Sequence, residues 1–169
     1  MNYAAIKKYD IANGEGIRTS LFVSGCRNCC VGCFQPETWD FTYGQEFSSE
    51  TLQELLRLLE NEHVAGLSIL GGDPFEPENQ LCVFGICKAV KEKFGHTKSI
   101  WMWTGYLFEE LMDLPVMDYI DVLVDGRFEE DLRDLTLWYR GSSNQRVIDI
   151  PTSLEVGCAI RWEGDGKWR

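Results

Sequence analysis

The sequence of 169 residues has no run of 18 or more apolar residues, so it contains no candidate transmembrane helix. Positive charge is also scarce, because 16 Lys and Arg residues stand against 27 Asp and Glu residues and the net charge is −11. Such a surface disfavours nonspecific binding to nucleic acids and to anionic membranes. The first residues lack the apolar segment and cleavage site of a signal peptide. We therefore expect a cytoplasmic protein that binds neither membranes nor nucleic acids.

Histidines and phosphate-binding sequences are equally scarce. His63 and His96 are the only histidines, both in charged surroundings typical of the surface, and no Ser-His-Asp or Cys-His arrangement can be argued. The sequence G-x-x-x-x-G-K-[ST] does not occur, and Gly14-x-Gly16 lacks the third glycine of a dinucleotide-binding loop. These absences argue against hydrolytic triads and the common nucleotide-binding loops.

Cysteine, in contrast, is concentrated: four of the seven cysteines fall within the eight residues from Cys26 to Cys33. Cytosolic thiols stay reduced, which favours metal ligation over disulfides. The run is either two C-x-x-C pairs or one C-x-x-x-C-x-x-C triplet that leaves Cys29 over. Four ligands from one short loop are hard to direct at one centre, so we favour the triplet. Its thiolates would hold three irons of a 4Fe-4S cluster and leave the fourth open, with a structural zinc site as the main alternative.

Hydrophobic periodicity predicts strands that alternate with helices. We predict helices over residues 48–59, about 78–94 and 107–114, and strands over residues 17–23, 66–70, 98–103, 119–124 and 145–150. The second helix is expected to turn Leu81, Phe84, Cys87 or Ala89, and Val90 inward. This alternation implies βα units and a parallel sheet. Because no linker or repeat divides residues 1–169, we expect one α/β domain.

Unusual residues follow the carboxyl ends of four predicted strands. In chain order these are the cysteine run, Gly71-Gly72-Asp73-Pro74, Trp103-Thr104-Gly105-Tyr106 and Asp125-Gly126-Arg127. Ligands bind along this edge in parallel α/β folds, so the four loops are expected on one face. Each of the later three loops has a simpler interpretation as a turn. Arg18, on the first strand, is expected either to bind a carboxylate or to be exposed.

The sequence resembles the glycyl-radical activating enzymes of the radical S-adenosylmethionine superfamily. The resemblance rests on two motifs in one order, G-x-G-x-R at residues 14–18 and F-x-x-G-C-x-x-x-C-x-x-C at residues 22–33. Stretches at residues 71–74, 101–106, 121–127 and 140–146 narrow the resemblance to activating enzymes that serve anaerobic ribonucleoside-triphosphate reductases. The resemblance covers about residues 11–150. Residues 151–169, with Trp162 and Trp168, are a C-terminal extension that we interpret as an added strand or a partner-contacting tail.

The resemblance implies a shortened, open βα barrel with a mostly parallel sheet. Cys26, Cys30 and Cys33 match the three cluster ligands, and S-adenosylmethionine would chelate the open iron. The residues expected to contact S-adenosylmethionine are Gly32, Cys33 and Phe34 near its adenine, Gly71, Gly72 and Asp73 at its amino group, and Thr104, Asp125 and Gly126 at its ribose or carboxylate.

The resemblance also implies a reaction and its partners. A reduced cluster would cleave S-adenosylmethionine, and the resulting 5′-deoxyadenosyl radical would remove hydrogen from a glycine of an anaerobic ribonucleoside-triphosphate reductase. The open side of the barrel would admit the glycine loop, and a flavodoxin is the electron donor that the family suggests. Two alternatives remain: an activase for another glycyl-radical enzyme, such as a formate-lyase type, and a non-enzymatic, metal-stabilised interaction module.

Overall fold

The β-forming runs of the sequence assemble into an open sheet, which helices cover. The computed structural model describes residues 1–164. Its strands are β1 (Asn2–Asp10), β2 (Ile17–Val23), β3 (Gln45–Glu46), β4 (Val64–Gly71), β5 (Ser99–Trp103), β6 (Val122–Asp125) and β7 (Arg146–Asp149), and its α-helices are α1 (Ser49–Leu59), α2 (Pro77–Phe94), α3 (Phe108–Leu111) and α4 (Ile150–Val156). Short 3-10 helices span Pro36–Trp39, Gly95–Thr97, Pro115–Tyr119 and Glu130–Leu132.

The strands form a mixed sheet in the order β3-β1-β2-β4-β5-β6-β7. The four central strands β2, β4, β5 and β6 run parallel. Antiparallel strands flank them, with β1 and β3 on one side and β7 on the other. The edge strands β3 and β7 do not pair, so the sheet is open. The predicted α/β class with parallel central strands is confirmed, and the antiparallel flanks make the sheet mixed.

Helices α1 and α2 bury one face each. The Ser48 hydroxyl accepts a hydrogen bond from the Thr51 amide at 3.3 Å and so caps α1. Leu55 and Leu59 of α1 are fully buried, and full burial of a leucine contributes about 1.5–3 kcal/mol. In α2 the buried stripe is Val83, Ile86, Cys87 and Val90. The predicted inward position of Leu81 is wrong, since 83% of this residue is exposed.

Element boundaries differ from the prediction where local signals are weak. Strand β6 begins only at Val122, because Pro115–Tyr119 forms a 3-10 turn ahead of it. Helix α3 is limited to Phe108–Leu111. Strand β1 was not predicted, and most of its residues are exposed or half-buried, which leaves little alternation to detect.

None of the helices within residues 1–164 is long and apolar enough to cross a membrane.

The Arg18 side chain of β2 is fully buried. Its guanidinium donates to the Ser68 hydroxyl at 2.6 Å and to the Ser99 hydroxyl at 3.0 Å. It also donates to the carbonyls of Leu67 and Ser99 at 2.8 and 2.9 Å. Burial lowers the pKa of Arg18 to about 9. Arg18 therefore ties β2, β4 and β5 together, and the alternative of an exposed arginine is wrong.

The C-terminal extension returns to the edge of the sheet after α4. The Asp149 amide donates to the Ile160 carbonyl, and the Trp162 amide donates to the Val147 carbonyl, both at 2.9 Å. The Trp162 ring packs edge-on against Trp101, with 4.7 Å between ring centroids. Residues 160–162 thus form an isolated bridge to β7 and do not form a full added strand. Trp168 lies outside the described residues.

Candidate functional site

Four loops at the carboxyl ends of β2, β4, β5 and β6 enclose a cavity of about 590 Å³. Such a volume lies within the range of small-molecule sites. The parallel register, with Val23 opposite Gly71 in β2 and β4, ends neighbouring strands at the same level. The expectation that the four loops share one face is confirmed. The predicted site residues that line the cavity are Cys26, Cys30, Cys33, Phe34, Gly71, Gly72, Asp73, Thr104 and Gly126.

Three cysteines of the run line the cavity and one does not. Cys26, Cys30 and Cys33 are half-buried lining residues, and the Cys33 amide donates to the Cys30 carbonyl at 3.1 Å to form a turn. Cys29 is exposed, lies outside the lining set and adopts a φ of 45°. This left-handed conformation is uncommon for a residue with a side chain. The chain therefore turns at Cys29, and the Cys29 thiol lies outside the cavity that the other three thiols line.

The donor set fits a 4Fe-4S cluster. Each cysteine of such a cluster binds a different iron, so thiols arranged around a cavity suit it. Within residues 1–164, no group of three or more His, Cys, Asp or Glu side chains is arranged to hold a single metal ion. Burial raises the pKa of the Cys26 thiol to about 11 and also raises the pKa of Cys30. In the metal-free chain these thiols are protonated, and binding iron would release their protons.

An ion pair anchors the cysteine loop to the start of α2. The buried Glu76 carboxylate accepts from the Arg27 amide at 2.7 Å and from the Arg27 guanidinium at 2.6 Å. The guanidinium also binds the exposed Glu78 and lies 4.4 Å from the ring centroid of Phe41. Sequence reasoning missed these residues. An arginine between two cysteines of an acidic chain was the available signal.

Asp73 is buried, with 1% of its surface exposed, and its carboxylate accepts hydrogen bonds from several loops of the site. Its carboxylate accepts from the Thr104 hydroxyl at 2.8 Å and from the Asn28 amide group at 2.8 Å. It also accepts from the backbone amides of Gly105 and Phe75 at 2.9 and 3.0 Å. Burial raises the pKa of Asp73 to about 6 despite these donors. Asp73 therefore joins three of the loops: those after β2, β4 and β5.

Gly71 and Gly72 allow the β4 loop to lie directly against the cysteine loop. Gly71 has a φ of 106°, which favours glycine. A Cβ atom on Gly72 would lie 2.6 Å from the Gly25 carbonyl oxygen. The amides of Gly72 and Asp73 donate to the carbonyls of Val23 and Gly25 at 2.7 and 2.8 Å. Gly72 therefore has no side chain because the backbone of the cysteine loop occupies that space.

The remaining predicted residues occupy different positions around the site. The Thr104 hydroxyl points at Asp73, and it accepts from the Tyr106 amide at 3.1 Å. Asp125 is fully buried and does not line the cavity. It accepts from the Phe108 amide at 2.8 Å and from the Arg146 guanidinium at 3.0 Å. Gly126, with a φ of 92°, is the lining residue of that loop.

Phe34 and Gly32 of the cysteine loop differ in their position relative to the cavity. Phe34 lines the cavity with 68% of its surface exposed, and its ring centroid is 6.1 Å from that of Phe128. Gly32 is exposed, has a φ of 76° and does not line the cavity. A Cβ on Gly32 would lie 2.9 Å from a carboxylate oxygen of Glu130. The structure therefore brings Phe34, but not Gly32, to the cavity.

A protein family described as a 4Fe-4S single cluster domain matches residues 12–148. The match includes the cysteine loop and the three other loops of the cavity. It defines the class of this chain as an iron–sulfur protein with a single 4Fe-4S cluster domain, and it supports such a cluster here.

Similar proteins define the chain more narrowly. The anaerobic ribonucleoside-triphosphate reductase-activating protein of Enterobacteria phage T4 is 42% identical over 147 residues, which cover 87% of this chain and 93% of the phage protein. The proteins of that name from Pasteurella multocida and Escherichia coli K12 are 40% identical and cover 87% of this chain, with 96% and 97% of their own lengths matched. The chain belongs to the family of anaerobic ribonucleoside-triphosphate reductase-activating proteins, which confirms the resemblance found in the sequence.

Proposed function

We propose that this protein activates an anaerobic ribonucleoside-triphosphate reductase as a radical S-adenosylmethionine enzyme. The observation that carries the proposal is that three of four clustered cysteines line one cavity together with the Gly71-Gly72-Asp73 loop. The names of its relatives supply the reductase as the protein substrate.

Cys26, Cys30 and Cys33 would hold the cluster, and Cys29 would not. When bound, the cluster supplies an electron that cleaves S-adenosylmethionine to methionine and a 5′-deoxyadenosyl radical, which takes hydrogen from a glycine of the reductase. The residues of the chain hold these groups in place and keep water from them. The half-buried thiols and the buried Asp73 of the β4 loop suit this role, because all of them line one cavity.

The proposed S-adenosylmethionine contacts follow from the loops. The backbone carbonyls of Gly71 and Gly72 would accept from the amino group, because the Asp73 carboxylate already accepts from four groups of the chain. Asp73 would keep this loop and Thr104 in position. Phe34 offers an aromatic face for adenine, and Gly126 leaves room for ribose.

Further contacts are proposed at the edges of this site. Gly32 and Cys33 would shape the turn that carries Phe34. The buried Asp125 carboxylate would act through its ion pair with the partly exposed Arg146 and so fix the backbone at Gly126.

The open sheet suits a macromolecular substrate. We propose that it corresponds to a shortened radical S-adenosylmethionine barrel, whose open side receives the glycine loop. Exposed apolar residues border the mouth of the cavity, including Phe34 at 68% and Leu135 at 78% exposure. We further propose one domain over residues 1–169, a cytoplasmic setting and a flavodoxin as electron donor.

Anaerobic reconstitution with iron and sulfide tests the ligand assignment. The parent protein should become brown and cleave S-adenosylmethionine upon reduction. Cys26→Ala, Cys30→Ala and Cys33→Ala should each abolish cleavage, whereas the matched variant Cys29→Ala should retain it. Loss of cleavage in Cys29→Ala, with retention in one of the other three, would overturn the assignment.

A second measurement tests the partner. The reductase should acquire a glycyl radical signal in electron paramagnetic resonance when it is mixed with this protein, reductant and S-adenosylmethionine. A signal on a formate-lyase type enzyme instead would identify a different activase. Cluster loading without S-adenosylmethionine cleavage would indicate a non-enzymatic module.

A further inference from the structure

The side chain of Asn28 lies between a cysteine sulfur and the buried carboxylate of the site. Its amide nitrogen is 3.6 Å from the Cys26 sulfur and 2.8 Å from an oxygen of Asp73. An asparagine amide group carries two hydrogens, so one nitrogen can donate to both acceptors. Asn28 is thus a donor shared by the cysteine loop and the β4 loop.

The surroundings hold the Asn28 amide in this position. Asp73 is fixed by Thr104, Gly105 and Phe75, so its oxygen is a stationary acceptor. Gly105 packs directly against the amide, because a Cβ there would lie 2.4 Å from the Asn28 nitrogen. The amide has little freedom to leave the Cys26 sulfur.

We propose that Asn28 is a positioning residue that raises the reduction potential of the cluster through its hydrogen bond to the Cys26 sulfur. The inference rests on the proposed role of Cys26 as a ligand. Reduction adds negative charge that spreads onto the ligand sulfurs, and a hydrogen-bond donor stabilises that charge. Hydrogen bonds to the sulfurs are among the factors that set iron–sulfur potentials. The bond to Asp73 aims the donor at the sulfur.

Two variants remove the hydrogen bond by different routes. Asn28→Ala deletes the donor, and Gly105→Ala puts a Cβ 2.4 Å from the Asn28 amide nitrogen, so that the amide must move aside. Both should shift the midpoint potential of the reconstituted holoprotein to more negative values. Cys29→Ala is the matched control in the same loop, and its potential should equal that of the parent.

The measurement is a potentiometric titration, in which the reduced cluster is followed by electron paramagnetic resonance. A purely structural role for Asn28 would alter iron content without moving the potential. An Asn28→Ala variant that is fully loaded and has the parent potential overturns the proposal. If Asn28→Ala does not retain iron, Gly105→Ala decides, and an unchanged potential there overturns it equally.

Cys26→Ala separates this inference from the proposed function. If Cys26→Ala keeps a complete cluster, the ligand assignment fails. If Cys26→Ala loses the cluster while both Asn28→Ala and Gly105→Ala keep the parent potential, only the role of Asn28 fails.

Discussion

At the scale of single residues, Gly72 shows how the absence of one Cβ atom joins two loops. The Gly25 carbonyl oxygen occupies the space that a side chain on Gly72 would need. Gly85 of α2 differs, because nothing lies within 4 Å of its Cβ position. The two glycines therefore form a matched pair for mutation: a side chain would collide with neighbouring backbone at Gly72 and would meet no atom at Gly85.

We expect Gly72→Ala to lower the free energy of unfolding by about 1–3 kcal/mol, because overpacking forces neighbouring backbone to shift. Gly85→Ala should raise it by about 0.5–1 kcal/mol, because alanine is the better helix former. Urea denaturation of the metal-free protein measures both values. An unchanged stability of Gly72→Ala would show that the cysteine loop can move away without cost.

The site residues themselves were predictable to different degrees. Cys26, Cys30 and Cys33 form a compact sequence pattern, and they line one cavity as the triplet hypothesis requires. The partners of Asp73 were not predicted, because Asn28 lies 45 positions away in the sequence. Arg18 was misjudged for the same reason, since its hydroxyl partners are 50 and 81 positions away. Polar contacts that tertiary packing creates leave no local signal.

At the scale of elements, the cysteine loop depends on an anchor at Glu76, the residue directly before α2. Glu76 accepts two hydrogen bonds from Arg27, one with each carboxylate oxygen, and its side chain is buried. Glu78 binds the same guanidinium but is half exposed. Burial should make the first contact matter more for loop stability than the second.

Glu76→Gln should lower the free energy of unfolding by about 1–3 kcal/mol, because Gln offers one acceptor oxygen where Glu76 offers two, so one of the two hydrogen bonds from Arg27 to this buried position is lost. Glu78→Gln should change it by no more than about 1 kcal/mol, as for exposed ion pairs. Denaturation curves and the iron retained after reconstitution compare the variants. Equal effects of the two substitutions would show that burial of Glu76 contributes nothing.

Whether an element could be predicted depended on how much of it is buried. Strand β4 is a nearly continuous apolar run inside the sheet, β2 is rich in β-forming residues, and α1 has a clear apolar face, so each was found. Strand β1 packs little against the core and pairs antiparallel with β2, so neither hydrophobicity nor the βα pattern indicated it. The antiparallel direction of β7 was missed because local sequence does not specify strand direction.

At the scale of the whole molecule, the open edge of the cavity is the part that the proposed protein substrate would reach. Leu135 is 78% exposed and lines the mouth, whereas Leu81 is 83% exposed on α2 and does not line the cavity. Both leucines present similar apolar area to solvent, but only one borders the candidate site.

Leu135→Asp should therefore reduce the yield of glycyl radical per S-adenosylmethionine cleaved, by about tenfold if the lost contact contributes about 1.4 kcal/mol. A charge at Leu81, in Leu81→Asp, should leave this ratio unchanged. The ratio is measured from the radical signal on the reductase and the methionine released. Equal ratios for the two variants would place the glycine loop elsewhere.

Two hydrogen bonds, from the backbone amides of Gly72 and Asp73, attach the β4 loop to the end of β2 and to the cysteine loop. An amide proton exchanges with solvent only when its hydrogen bond breaks. These two protons are held by carbonyls of Val23 and Gly25 and not by their own loop. Val23 belongs to β2 and Gly25 to the cysteine loop, so exchange of the Asp73 proton in heavy water follows detachment of the cysteine loop, whereas exchange of the Gly72 proton follows separation of β4 from β2.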